Sequence, residues 1–412
     1  MSLSSTSHAP SDLSLMARGR SMDKGLEAIR NHLGMQVAYI SEFSGANSIF
    51  RAVDAPGFEG VIKPGDSQPL DDIFCRHILA GRLPELMPDV SQEPLAMSLP
   101  IMQRVPIGSH VSVPIRMPDG ETYGMFCCLS LKADQSLNAR DLQVMRVFAD
   151  MAAAEIVEER KQAQAEREKA ARIRDLILVE AFEPFFQPIV DLLSGNPVGF
   201  ECLTRFTAEP RRTPDLWFNE AQTCEMGLAL EIATIRKALG ASRSLPQELY
   251  ISVNASPQLV ISGQLPAILA AYPKRRVVVE ITEHARVEDY AVLNSALKVL
   301  RKRGYEIAVD DAGSGYSSLQ HIVQIAPDII KLDIGLIRGV DEDQARRALI
   351  SALIYFARET GCTMIAEGIE TEAERQSLKL LGVGKGQGYL FCKPLSLADI
   401  TQFLRSSARA VA

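Results

Sequence analysis

The sequence predicts an α/β chain whose C-terminal part is a (β/α)8 barrel, preceded by an α+β domain and a connecting helix. Three observations carry this reading. Apolar, strand-like runs alternate with helix-length segments through residues 176–408, short strands and helices with hairpin signals fill 21–154, and a stretch free of Gly and Pro lies between them. At 412 residues, and roughly 150 residues per domain, two or three domains are expected.

Residues 1–20 are Ser-rich and lack the apolar core of a signal peptide, so they read as a flexible tail. The first domain, 21–154, opens with an amphipathic helix around Leu26 to Leu33 and continues with a strand at Val37 to Ser41. Strands at Val111 to Arg116 and Tyr123 to Leu131 are joined by Pro118-Asp119-Gly120 as a hairpin. The connector, 155–175, consists mainly of strong helix formers. Ile156, Ala163, Ala170 and Ile177 recur every seven residues along it, a thin seam that suits either helix pairing in a homodimer or a single solvated helix.

In 176–408 the strand-like runs are Phe185–Val190, Val198–Leu203, Leu249–Val253, Val277–Ile281, Glu306–Val309, Ile329–Leu332, Cys362–Ala366 and Tyr389–Phe391. Barrel enzymes carry their chemistry at the C-terminal ends of strands. In order, those ends supply Glu201, Asn254, Glu280, Asp310 with Asp311, Lys331 with Asp333, Glu367, and Gln387. A charge in or just after an apolar strand is expensive unless it meets a partner or an ion. Convergence of so many such groups therefore predicts a polar site.

Composition narrows what that site can serve. The formal net charge of −7 provides no sequence-wide basic field for a DNA or RNA polymer. The longest uncharged stretch, Leu249 to Pro273, is broken by Asn254, Ser256, Pro257, Gln258, Gly263 and Pro266, so no membrane span is expected. Seven scattered cysteines without a CxxC pair suit a reducing, cytoplasmic compartment. Cys127 and Cys128, adjacent in one strand, should face opposite sides of their sheet.

Oxygen donors from Asp, Glu and Asn, with neither Cys nor His among them, favour Mg²⁺ or Mn²⁺ over zinc. Crowded carboxylates repel, and a pair of divalent ions relieves that repulsion. Asp310 and Asp311 can serve two such ions, one by bridging, in the arrangement used for in-line phosphoryl displacement. Metal-assisted phosphodiester hydrolysis is the reaction class this pattern predicts.

The phrases GMQVAYISEF, SVPIRMPDG and ETYGMFCCLS resemble the first strand and closing hairpin of a GAF domain. Such a domain implies a sensor that takes an unknown small ligand or none. The phrases FFQPIVDLLSG, GFECLTRF, VNASP, EITE, DDAGSGYSSL, IIKLD, AEGIET and QGYLFCKPL, in that order, resemble the EAL domain, a bacterial phosphodiesterase family that opens cyclic di-GMP to linear pGpG. The resemblance implies an EAL-type barrel that uses two Mg²⁺ or Mn²⁺ ions, is regulated by a GAF-like sensor and acts as a homodimeric signalling enzyme. It implies metal ligation by Glu201, Asn254, Glu280, Asp310, Asp311 and Glu367, and catalytic roles for Lys331, Glu367 and Glu201. Lys331 would orient and acidify the attacking water, with Glu367 assisting as ligand or base. Gln187, Leu203, Arg205 and Gln387 would touch the dinucleotide, and Glu283 would anchor the loop after the fifth strand.

This chain departs from the family pattern at Cys202, where Ala is usual, and at Ala312 and Ser314, where Phe and Thr are common. The ligand Glu201 beside Cys202 and the loop anchor Glu283 both remain, which implies retained activity with altered regulation or rate. The rival reading is a catalytically inactive receptor for the same dinucleotide.

Overall fold

The fold is that of a computed structural model, which describes residues 12–281, 289–312 and 316–411. It divides into two compact units at Arg167/Glu168. The first holds helix α1 (Asp12–His32) and strands β1 (Val37–Ser44), β2 (Asn47–Asp54) and β3 (Ser67–Pro69). It continues through α2 (Phe74–Leu79), β4 (Leu86–Met87), α3 (Pro94–Ser98), α4 (Ile101–Arg104), β5 (Ser109–Arg116) and β6 (Thr122–Ser130). Helix α5 (Ala139–Leu178) runs past the division between the units.

The six strands form one antiparallel sheet in the order β3-β2-β1-β6-β5-β4. Strand β2 was not read from the sequence, although Gly45, at φ +59°, marks the turn that precedes it. Both faces are covered. Leu26 and Ile29 of α1 and Met145 and Ala149 of α5 pack with Val111, Val113 and Cys128 on one side, while Phe74 and Ile78 of α2 pack with Tyr39, Met125 and Cys127 on the other. The adjacent cysteines thus face opposite ways, as strand geometry requires, and both are buried because each face has its own cover.

The second unit begins on the end of α5 and contains β7 (Phe182–Asp191), β8 (Pro197–Phe206), α6 (Pro214–Thr223), α7 (Gly227–Ala241), β9 (Tyr250–Ala255), α8 (Pro257–Ile261), α9 (Leu265–Ala270) and β10 (Val277–Ile281). Then come α10 (Tyr290–Lys302), β11 (Glu306–Ala312), α11 (Tyr316–Ile325), β12 (Ile329–Leu332), α12 (Ile334–Ile337), α13 (Gln344–Thr360), β13 (Thr363–Ala366) and α14 (Glu372–Leu381). Strands β14 (Lys385–Gly386) and β15 (Leu395–Ser396) and helix α15 (Leu397–Val411) complete it.

Strands β7 to β14 follow one another around the sheet, and β14 returns to pair with β7, which closes an eight-stranded barrel. Strands β8 to β14 are mutually parallel, but β7 is antiparallel to both neighbours. The cause is the short turn after Asp191, whose carboxylate accepts from the backbone N–H groups of Leu193 and Ser194. A turn of that length makes a hairpin, whereas a parallel return needs a crossover.

The eighth strand is a correction to the sequence reading. It lies at Lys385–Gly386, and residues 389–391 form a turn. The N–H of Leu390 bonds to the carbonyl of Ile369, and that of Phe391 to the carbonyl of Gly388, so neither is available to a ladder. Gly388, at φ +157°, passes so close to Ile369 that an added Cβ would lie 2.1 Å from its carbonyl oxygen.

The two isoleucines of the seven-residue repeat on α5 are taken up within the chain. Ile156 belongs to the core of the first unit, and Ile177 packs against the cluster around Trp217 in the second.

Candidate active site

The barrel interior is built in layers because alternate residues of every strand point inward. Ile189, Tyr250, Val278, Ala308, Ile329 and Ile365 form a buried apolar cluster from six strands. Two residues further along three of these strands stand Glu280, Asp310 and Lys331, with Glu367 just past the end of β13, so the period-2 geometry lifts a polar layer directly above the apolar one. Glu201 joins it from β8, where it stands opposite Gln187 of β7 and Ser252 of β9.

Lys331 is the centre of this layer and is fully buried. Its Nζ lies 2.6 Å from Glu367 Oε1, 2.8 Å from Glu280 Oε2, 3.2 Å from Asp310 Oδ1 and 3.4 Å from Glu201 Oε2. Burial alone would pull this ammonium toward its neutral form, but the charges of Asp310, Glu201, Glu280 and Glu367 hold it protonated, well above the usual lysine range. The carboxylates pay the converse cost. Burial, then repulsion from Glu201 and Asp310, pushes Glu280 up to about 8 against the attraction of Lys331. Burial likewise raises Glu367 well above the carboxylate range, with Asp310 and Glu201 adding to it.

The surrounding amides and a hydroxyl fix the carboxylates in place. Gln387 Nε2 donates to Glu201 Oε2 at 2.6 Å, Asn254 Nδ2 donates to Glu201 Oε1 at 3.3 Å, and the Ser252 hydroxyl donates to Glu280 Oε1. Ser252 was not singled out from the sequence. Its signal was present, since Ser252 and Asn254 sit two apart in one strand and so face the same side. Gln387 Oε1 is buried and has no hydrogen-bond partner, which leaves an acceptor at the edge of the site.

The site thus gathers Glu201, Asn254, Glu280, Asp310, Lys331, Glu367 and Gln387. Gln187 is buried nearby and donates to the Cys392 carbonyl at 3.3 Å. Leu203 and Arg205 lie further along β8 and, with Asn254, line a cavity of about 540 Å³. Asp333 does not join the cluster; its carboxylate accepts from Gly335 N and caps α12. The side chain of Asp311 and the whole of Glu283 lie outside the described residues.

Among the described residues, Glu201, Glu280 and Asp310 each present an oxygen within 4.8 Å of the others, a spacing that could hold a metal ion. The donor set fits a hard divalent cation: it is all oxygen, and four carboxylates share a single ammonium. No helix among the described residues is long and apolar enough to cross a membrane.

Comparison with known proteins agrees with this geometry. Residues 20–156 match the GAF domain, and residues 170–394 match the EAL domain. The chain is 30% identical over 246 residues to the probable cyclic di-GMP phosphodiesterase PdeB of Escherichia coli, which covers 57% of this chain and 46% of that protein. It is 29% identical over 242 residues to the cyclic di-GMP phosphodiesterase PA2567 of Pseudomonas aeruginosa, covering 55% and 40%. The chain spans about a third to a half of the length of the curated relatives it matches. The cGMP-bound structure of the EAL enzyme Bd1971 shares the fold at a TM-score of 0.55 and 20% identity, over 90% of this chain and 93% of that one. With an EAL match across more than half its length, the chain belongs to the EAL domain family.

Proposed function

We propose that this chain hydrolyses cyclic di-GMP to linear 5′-pGpG in a reaction that depends on two Mg²⁺ or Mn²⁺ ions, under the control of its N-terminal GAF domain. The observation that carries the reading is the ring of Glu201, Glu280, Asp310 and Glu367 around the buried Lys331 ammonium. Glu201, Asn254, Glu280, Asp310, Asp311 and Glu367 are the residues that would hold the ions. When bound, the ions supply Lewis-acid stabilisation of the phosphate charge and a lowered pKa for water.

The chain's own residues supply positioning and proton handling. Lys331 would orient and acidify the attacking water, and Glu367 would assist either as an ion ligand or as the base that takes the proton water loses. A P–O bond forms to water as the bond from phosphorus to O3′ breaks, and the proton that water gives up is returned to the leaving O3′, leaving a 5′-phosphate and a free 3′-hydroxyl. Arg205 and Leu203 border the cavity that receives the dinucleotide, and the free Gln387 Oε1 is an acceptor for a ligand donor. Homodimer formation belongs to the same reading, and light scattering of the full chain in solution tests it; a monomer would remove it.

The test of the activity is incubation of the purified chain with cyclic di-GMP and Mg²⁺ or Mn²⁺, with products resolved chromatographically. Appearance of pGpG supports the reading. Tight binding without product would instead identify a receptor.

A further inference from the structure

We propose that Glu220 is a positioning residue, which fastens the last turns of α5 to α6 and thereby sets the wall of the cavity beside Leu203, Arg205 and Asn254. The inference rests on the hydrolytic reading of the barrel given above. It begins with an unusual carboxylate. Glu220 Oε1 accepts from Arg172 of α5, with Nε at 2.9 Å, while Oε2 accepts from Arg212 just before α6. The Glu220 side chain is only 11% exposed, so the charges it joins are shielded more than those of an ordinary surface pair.

The contact continues into packing. The Arg212 guanidinium lies over the Trp217 ring at 4.9 Å, and Trp217 is fully buried with Ile173 and Leu176 of α5 and with Phe206 of β8. Phe206 is 5.7 Å from Trp217 and 5.6 Å from Phe218, centroid to centroid. Helix α6 therefore has two working faces. Trp217, Glu220 and Ala221, spaced three and four apart, turn toward α5, whereas Asp215, Phe218, Asn219 and Gln222 line the cavity. A shift of the end of α5 is passed through Glu220 and Trp217 to α6, and so to the cavity wall, because packed helices move as units.

Trp217 is the single tryptophan of the chain, so its emission reports on this contact directly. The experiment uses the full-length chain. Adding cyclic di-GMP in Ca²⁺, with binding followed by calorimetry and absence of pGpG verified, is expected to shift wild-type emission. Glu220→Gln and Arg172→Gln are each expected to raise KM about tenfold with kcat within about twofold, and the double substitution to do no more than either one. Arg172→Lys, which keeps the cation, is expected to stay near wild type. Thermal melting checks folding, and if Glu220→Gln fails to fold, Arg172→Gln carries the test. Unchanged KM in folded variants, or calorimetric binding with unmoved emission, would overturn the coupling while leaving the hydrolytic reading intact. Absence of both hydrolysis and binding would overturn that reading and this proposal with it.

Discussion

Lys331 Nζ stands 2.6 Å from Glu367 Oε1, and the ammonium is as deeply buried as any aliphatic side chain of the barrel core. An ion pair at that depth is sustained by its remaining partners, here Glu280, Asp310 and Glu201. Removing the lysine therefore strands four carboxylates. In metal-free buffer, Lys331→Met is expected to lose about 3 kcal/mol or more of stability, and Mn²⁺ should restore much of it. Thermal melts with and without Mn²⁺ measure this; a metal-free variant as stable as wild type would contradict the arrangement.

Protonation of Glu280 would link metal binding to pH. In the folded, metal-free chain this group titrates near 8, far above its unfolded value, so between those values the folded state holds a proton that the unfolded state lacks. Metal-free stability should accordingly fall as pH rises from about 5 to about 8, then level off as far as this group is concerned. Metal affinity should run the other way and rise toward pH 8, with proton release on binding. Calorimetry in buffers of different ionisation enthalpy reads the protons; no release at pH 7 would refute the assignment.

Ser252→Ala isolates the hydroxyl that steadies Glu280. Losing a hydrogen bond to the charged form costs about 1.5–3 kcal/mol of preference for that form, so the pH midpoint of metal binding should move upward by one to two units, by about the same measure. A midpoint unchanged within error would show that the hydroxyl does not govern Glu280. The substitution leaves every proposed ligand in place.

Gly388→Ala tests the closing segment. An added Cβ would meet the Ile369 carbonyl, and a backbone shift that relieves the clash at Gly388 carries along its neighbour Gln387, whose amide holds Glu201. Destabilisation of about 2 kcal/mol or more is expected together with reduced pGpG formation. Denaturant melts and the product assay measure both, and wild-type values in each would show that the segment yields without cost.

Much of the site was legible in the sequence because strand geometry turns position into place. Glu201, Glu280, Asp310, Lys331 and Glu367 each end an apolar run, and any barrel that buries those runs must bring their inward ends together. Asp333 escaped the same logic because it is two residues beyond Lys331 but past the end of its strand, where helix capping competes for a carboxylate. The last strand was misplaced because Tyr389–Phe391 is apolar enough to read as a strand, while the close approach of Gly388 to Ile369 is a tertiary fact. The antiparallel β7 was hidden for a similar reason: strand-like residues do not record their direction, and only the short turn after Asp191 hints at it.

The apolar layer beneath the carboxylates also decides how matter moves through the barrel. Ile189, Val278, Ala308, Ile329 and Ile365 fill the interior below Lys331, so under the proposed reading ions, dinucleotide and product would all pass by way of the strand ends. Traffic of that kind would be sequential: ions seated deepest would have to enter ahead of the dinucleotide, and a product that lingers would hold the next substrate outside.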